Sequence, residues 1–146
     1  MFYGYFQIKN YIMCLVTIQL EPKIADKDIV CYKMVTKYRI KGVYLSEYQS
    51  FEYIIRKLYT NNINIRFVNK IVKTWCLTYP YLMYNIDEGM FHSYKSRLCP
   101  VILSPLPSCA LLKCIIPKGA YYYEGYFDDS PSYASSQIKI LEEIKI

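Results

Sequence analysis

An eight-residue apolar run in the second half of the chain most restricts how the chain can fold. Residues Cys109–Ile116 read CALLKCII, with Lys113 as the one charged member. Runs of roughly four to eight such residues, bounded by turn residues, are typical of buried strands. Pro117-Lys118-Gly119 then predicts a tight turn, and the four tyrosines within Ala120 to Phe127 indicate a second strand or an extended loop. This part of the chain therefore predicts β-structure.

Other segments repeat the same signals. Ile29 to Tyr38 (IVCYKMVTKY) is rich in β-formers and predicts a strand. Lys41-Gly42 predicts a turn, after which Val43 to Leu45 returns as a short antiparallel strand. Ser135 to Ile144 ends the chain with apolar and polar residues in alternation, which again indicates a strand.

One segment has the spacing of an amphipathic helix instead. Ser46 is a suitable N-cap, and Asn61-Asn62 is a suitable end. The apolar residues between them fall at helical intervals: Tyr48, Phe51, Ile54, Ile55 and Leu58. The sequence thus predicts a principal helix at about residues 46–60. The whole chain, 1–146, is predicted to form a single compact α+β domain with a mostly antiparallel sheet.

Composition limits the classes of protein to which the chain can belong. Its 146 residues suit one domain, and 53% hydrophobic with 21% charged residues excludes a disordered chain. The net charge of +6 favours anionic partners, although the basic residues are scattered singly. The 18 tyrosines are explained either by an AT-rich genome or by a tyrosine-lined recognition surface. Composition therefore leaves open whether the tyrosines reflect an AT-rich genome or a recognition surface.

The N-terminal region indicates in which cellular compartment the protein is expected. Tyr11 to Leu20 is apolar, but it lacks the flanks of a signal peptide and is shorter than the roughly 20 residues that span a bilayer. Met13 is a possible alternative start, so residues 1–12 are expected to be peripheral. We therefore expect no membrane association, a cytoplasmic protein and reduced thiols. The cysteines are Cys14, Cys31, Cys76, Cys99, Cys109 and Cys114.

Motifs for catalysis, metals and cofactors are missing from the sequence. It contains no C-x-x-C pair, no Walker A pattern, no G-x-G-x-x-G and no G-x-S-x-G. His92 is the only histidine, and beside Phe91 it is more typical of a packed structural residue than of a general base. The sequence therefore predicts no catalytic residue, no metal ligand and no cofactor.

Glu124 is the acidic residue with the most unusual neighbours. Strand alternation would place Tyr122, Glu124 and Tyr126 on one face, and Tyr121 and Tyr123 on the other. A carboxylate among aromatic rings can have a raised pKa or accept hydrogen bonds from hydroxyls, whereas the alternative is that Glu124 is simply exposed. The candidate ligand-binding residues are His92, Tyr94, Lys118, Tyr121, Tyr122, Tyr123, Glu124 and Tyr126.

Several segments also carry a resemblance. They are Cys31–Val35 (CYKMV), Phe91–Tyr94 (FHSY), Cys114–Gly119 (CIIPKG), Tyr121-Tyr122 with Gly125, and Tyr133–Ser135 leading into Ile138–Ile140. In this order they resemble segments of small uncharacterised proteins of Bacteroides and their gut phages, including crAss-like phages. The resemblance covers about half of the chain and lies mainly in residues 90–140. It implies a phage or Bacteroides origin and a compact α+β domain, and it implies no activity.

The order of these segments also resembles ADP-ribosyltransferase-like folds. Such folds use a histidine or arginine on an early strand, a tyrosine or serine in the middle and a late glutamate. The resemblance would put Arg39, then Ser93 or Tyr94, and finally Glu124 in those positions.

Three functions follow as expectations. The first is a non-enzymatic, phage-type accessory protein that binds an anionic ligand (a nucleotide or nucleic acid) or a host protein, because tyrosine rings stack on bases and lysines meet phosphates. The second is a structural or assembly component of a virion. The third is an ADP-ribosyltransferase-like enzyme. The corresponding location is the host cytoplasm or the virion, and the oligomeric state is not indicated by the sequence.

Overall fold

A computed structural model describes residues 15–17, 19, 21–38, 40–46, 51–60, 68–73, 82–86, 90–98, 109–127 and 130–145. Within these ranges the chain forms thirteen β-strands in one sheet, and all of the strand pairings are antiparallel. The strands are β1 (Leu15–Thr17), β2 (Lys23–Ile24), β3 (Ile29–Lys37), β4 (Val43–Ser46), β5 (Glu52–Ile54), β6 (Leu58–Thr60), β7 (Val68–Lys73), β8 (Leu82–Ile86), β9 (Phe91–Tyr94), β10 (Cys109–Ile116), β11 (Tyr121–Phe127), β12 (Ser130–Ser135) and β13 (Gln137–Ile144).

The strands follow one path through the sheet. Their order is β6-β13-β10-β3-β9-β12-β11-β1-β8-β7. Two short additions flank this path, since β2 pairs with β11 while β4 pairs with β3 and β5. Among the described residues, no helix is long and apolar enough to cross a membrane.

The strands at the centre of the sheet confirm several sequence predictions. The apolar run Cys109–Ile116 is β10, and it pairs with β3 along its whole length, with Cys114 opposite Cys31. The two predicted turns contain Gly42 and Gly119, whose φ angles of 85° and 89° lie in the left-handed region that glycine adopts without strain. The second strand expected after Gly119 is β11 rather than an extended loop.

The predicted principal helix at about residues 46–60 is wrong, and with it the α+β class. The described part of this segment forms β5 and β6, so the described fold is nearly all antiparallel sheet. Tyr53 and Tyr59 are buried, whereas Ile54 and Leu58 on the expected apolar face are 45% and 48% exposed. Arg56, with a φ of 67°, turns the chain between the two strands. Residues 47–50 and 61–62 lie outside the described ranges.

Alternation along the strands separates two hydrophobic clusters. Cys31, Leu112 and Cys114 belong to the larger cluster, and Tyr122 and Tyr133 pack against its margin. We call the sheet face that carries these residues the major core face. The smaller cluster consists of Leu15, Met90, Tyr123 and Ala134. Since Tyr123 and Ala134 neighbour Tyr122 and Tyr133 in their strands, the smaller cluster lies on the opposite face.

Candidate functional site

A row of polar and aromatic residues crosses the major core face at the margin of the larger cluster. Strand register builds this row, because Lys23 of β2 pairs with Tyr122, and Glu124 pairs with Tyr133 of β12. Lys95 follows β9, and its backbone N–H donates to the Pro131 carbonyl (3.0 Å), which continues the β9–β12 pairing. Directly paired residues share a sheet face, so all of these side chains emerge together.

The two lysines converge on one carboxylate. Lys23 Nζ lies 2.9 Å from Glu124 Oε2, and Lys95 Nζ lies 3.2 Å from Glu124 Oε1. The side chains of Lys23, Lys95 and Glu124 are 53%, 35% and 35% exposed, so solvent reaches all three. Desolvation by partial burial opposes ionisation of Glu124. The hydrogen bonds and positive charges of the two lysines outweigh it, and they hold the pKa of the Glu124 carboxyl below its ordinary value.

This arrangement bears on both interpretations of Glu124 drawn from the sequence. A raised pKa among aromatic rings is wrong, since the pKa is lowered. The alternative of an exposed side chain holds in part, because the side chain is 35% exposed while both carboxylate oxygens contact lysine. Neither Lys23 nor Lys95 was among the candidate residues predicted from the sequence.

The backbone at Glu124 is anchored independently of its side chain. The Thr17 hydroxyl donates to the Glu124 carbonyl at 2.6 Å, and the Glu124 N–H donates to Gln19 Oε1 at 3.2 Å. Thr17 is 1% exposed, so this anchor is buried. The carboxylate is therefore presented from a fixed point of β11.

Two tyrosine rings border the ion pairs. Tyr122 and Tyr133 meet edge to face with ring centroids 5.9 Å apart, and Lys95 Nζ lies 5.1 Å from the Tyr133 ring centroid. Desolvation, together with the negative charges of Glu124 and of the Cys31 and Tyr122 side chains when ionised, raises the pKa of Tyr133 to about 12. We call Lys23, Lys95, Tyr122, Glu124 and Tyr133 the Glu124 cluster.

A buried lysine lies deeper on the same face. Lys33 of β3 is 9% exposed, its ammonium donates to the His92 carbonyl, and Nζ lies 5.1 Å from the Tyr53 ring centroid. Beside it, burial raises the pKa of the Cys31 thiol to about 11, against opposing effects of Ser93 and Lys33. Burial likewise raises the pKa of Cys114 well above its ordinary value. These side chains are parts of the core rather than of an open site.

The structure divides the tyrosines predicted for the site. Tyr122 and Glu124 belong to the Glu124 cluster, and Tyr126 lies on the same face of β11. Tyr123 is only 1% exposed and packs in the smaller cluster on the opposite face. Tyr121 also lies on that opposite face, half-buried, with its N–H bonded to the Ser136 hydroxyl (3.0 Å).

The remaining predicted residues lie elsewhere. His92 and Tyr94 of β9 occupy the opposite face, where their rings lie 6.4 Å and 5.8 Å from that of Phe127. Lys118 lies in the β10–β11 turn with an exposed side chain, and its N–H donates to Asp28 Oδ1 at 2.9 Å. His92, Tyr94 and Lys118 are therefore not brought together with Glu124.

The positions suggested by the ADP-ribosyltransferase-like resemblance are also separated. Ser93 pairs with Tyr133, which pairs with Glu124, so Ser93 and Glu124 share a face two strands apart. Tyr94 points to the opposite face, and Arg39 lies outside the described residues. In the part of the chain that the structure describes, no group of three or more His, Cys, Asp or Glu residues could hold a metal ion.

Comparisons with known proteins were made by family model, by sequence and by structure. No family model, no curated protein and no solved structure matches the chain. The origin in Bacteroides or its phages therefore stays a prediction, as do the activities suggested by resemblance.

Proposed function

We propose that this protein is a non-enzymatic binding protein for an anionic ligand that carries an aromatic ring, namely a nucleotide or a nucleic acid. The Glu124 cluster is the proposed binding site. The observation that supports it is the convergence of Lys23 and Lys95, within 3.2 Å, on one partly exposed carboxylate beside two tyrosine rings.

The chemistry of the cluster suits such a ligand. Lysine ammonium groups attract phosphate oxygens, and a tyrosine ring supplies a face on which any base can stack. Lys23 and Lys95 are both solvent-accessible, so a ligand reaches them without disturbing the core. The net charge of +6 attracts an anion over longer distances at low ionic strength.

Binding of a fluorescently labelled single-stranded oligonucleotide and of a labelled nucleoside monophosphate tests the proposal. We expect the double variant Lys23→Ala/Lys95→Ala to weaken binding of the preferred ligand at least about tenfold, equivalent to ~1.4 kcal/mol. Binding should also weaken as salt rises, because phosphate contacts release counterions.

A matched control separates the site from net charge. Lys27→Ala/Lys41→Ala removes the same charge from two exposed lysines outside the cluster. We expect this control to bind within about twofold of the wild type, since scattered surface charge acts weakly through salt. Equal losses in both double variants, or no binding by the wild-type protein, would refute the proposed site.

A further inference from the structure

We propose that Glu124 is a displaceable internal counter-ion, which a ligand must displace from Lys23 and Lys95, and that the two lysines bind a dianionic phosphate monoester more tightly than a monoanionic phosphodiester. The inference rests on the proposed function and narrows it. The ligand class becomes a nucleotide with a terminal phosphate, in preference to the backbone of a nucleic acid.

The geometry of the two ion pairs allows a phosphate to take the place of the Glu124 carboxylate. Each Glu124 carboxylate oxygen faces a different lysine, at 2.9 Å for Lys23 and 3.2 Å for Lys95. The two ammonium groups come from opposite sides of β11, since β2 pairs with β11 directly and β9 is separated from it by β12. A phosphate group also offers two oxygens to two cations, so it can bridge the same lysines in place of the carboxylate.

The second step is that the carboxylate can leave without disturbing the strand. Its side chain is 35% exposed, and the hydrogen bonds that it accepts from described residues come from the two lysines. The backbone is held separately by Thr17 and Gln19. Rotation of the Glu124 side chain therefore frees Lys23 and Lys95 while β11 stays in register.

Charge decides which ligands can compete. Lys23 and Lys95 supply two positive charges, and Glu124 supplies one negative charge. A phosphodiester carries one negative charge and gains little by replacing a carboxylate that is already tethered at the site. A phosphate monoester carries about −1.5 to −2 at pH 7, so the exchange gains electrostatic energy. Glu124 belongs to the same chain as the lysines, so it competes for them at a high effective concentration. A ligand must therefore bind the lysines more tightly still to displace it.

The test compares two ligands that differ by one methyl group on the phosphate, which removes one of its negative charges. Uridine 5′-monophosphate and its methyl ester are titrated by calorimetry, at neutral pH, into the wild-type protein and into Glu124→Gln. We expect the wild type to bind the monoester at least about tenfold tighter than the methyl ester. In Glu124→Gln both ligands should gain about tenfold in affinity, because both compete with the same carboxylate for Lys23 and Lys95.

A second ionic glutamate provides the matched control. Glu143 pairs with Lys37 at 3.4 Å, and its side chain is 35% exposed, as is that of Glu124. Glu143→Gln removes the same charge elsewhere on the sheet and should leave both affinities within about twofold of the wild type. Glu124→Ala, which removes the whole competing group, should raise the affinity for both ligands as Glu124→Gln does.

The possible outcomes separate the two proposals. If the wild type binds either ligand but Glu124→Gln and Glu124→Ala bind it no more tightly than the wild type does, Glu124 does not compete and this inference is wrong while the proposed function stands. An equal change in Glu143→Gln would also overturn it, because net charge would then explain the effect. If neither ligand nor an oligonucleotide binds the wild type, the proposed function fails and this inference fails with it.

Discussion

Two lysine environments on one sheet face show how burial assigns different roles to the same side chain. Lys33 is 9% exposed, and its ammonium is held by the His92 carbonyl and the Tyr53 ring. Lys23 and Lys95 lie farther along the same face, where solvent reaches them and a carboxylate balances their charge. The buried ammonium has a neutral carbonyl and a ring as partners, whereas the outer two ammonium groups share a charged, half-exposed carboxylate.

The exposure of each lysine therefore indicates whether its substitution should affect folding stability or ligand binding. A buried group that loses its partner is costly, because water cannot replace the lost contact. An exposed ion pair contributes little to stability, since water and salt screen it, and it is therefore free to exchange partners. Variants at Lys33 should thus affect folding, and variants in the Glu124 cluster should affect binding.

The largest expected effect on stability is at Lys33. Lys33→Ala removes a buried hydrogen bond to the His92 carbonyl and leaves a cavity where the lysine stem packed, so we expect a loss of about 2–4 kcal/mol. Lys33→Met retains most of the packing and should lose less. Urea denaturation followed by tyrosine fluorescence measures both. A loss below about 0.5 kcal/mol in Lys33→Ala would show that this lysine is not part of the core.

The next largest effect is expected on the rate at which the buried thiols are alkylated. With its pKa raised to about 11, Cys31 at pH 8 is about one thousandth thiolate, against about one tenth for a thiol at its ordinary value of 9.0. We expect alkylation of Cys31 in the native protein to be at least about 100-fold slower than in urea, and slower than that of half-buried Cys109. Peptide mapping by mass spectrometry measures the labelling. Equal rates at Cys31 and Cys109 would contradict the burial.

A smaller effect is expected from Tyr133 in alkali. Its pKa is raised to about 12 in the folded protein, from an ordinary value of 10.0. The stabilisation by the neutral phenol is thus fully present below pH 10 and is lost as the pH rises through 12. Tyr133→Phe should therefore lose less of its free energy of unfolding between pH 10 and 12 than the wild type does. Tyr121→Phe, which alters a half-buried tyrosine on the opposite face, serves as the control.

The smallest effect on stability is expected at Lys23. Its ammonium is hydrogen-bonded to Glu124, but the side chain is 53% exposed. Lys23→Ala should change the free energy of unfolding by less than about 1 kcal/mol, and added salt should reduce the difference. The same urea titrations used for Lys33→Ala measure it. A loss as large as that of Lys33→Ala would break the distinction between the buried and exposed lysines.

The local sequence pattern was enough to predict the central strands, but it predicted a helix at 46–60 where the described residues form strands. β10 was predicted because an apolar run ends at a turn with a glycine, and both signals lie within about a dozen neighbouring residues. In the second segment, Phe51, Ile54 and Leu58 fit a helical spacing as well as an exposed strand edge. The β13 pairing that decides between them is distant, since it aligns Ile138 with Tyr59, whereas the pairing of Tyr44 with Tyr53 joins neighbouring strands.

The candidate site was predictable only in part, for the same reason. Glu124 and Tyr122 stand out in the sequence because they lie in one aromatic run. Lys23 and Lys95 lie 101 and 29 residues away from Glu124, and nothing near either lysine marks it as a partner. Tyr123 was included because it lies in that aromatic run, and His92 and Tyr94 because they belong to the FHSY segment. Strand alternation places all three on the opposite face.

The sequence by itself determined that the chain carries strong β-forming runs, positive charge and a concentration of tyrosine around Glu124. Only the tertiary structure decided which face each residue occupies, that residues 51–60 form strands, and which two of the lysines meet Glu124. The physical reason is that strand formation and turns depend on neighbouring residues, whereas register depends on pairing between strands far apart in the chain. A shift in register by one residue would exchange the two faces and dismantle the Glu124 cluster.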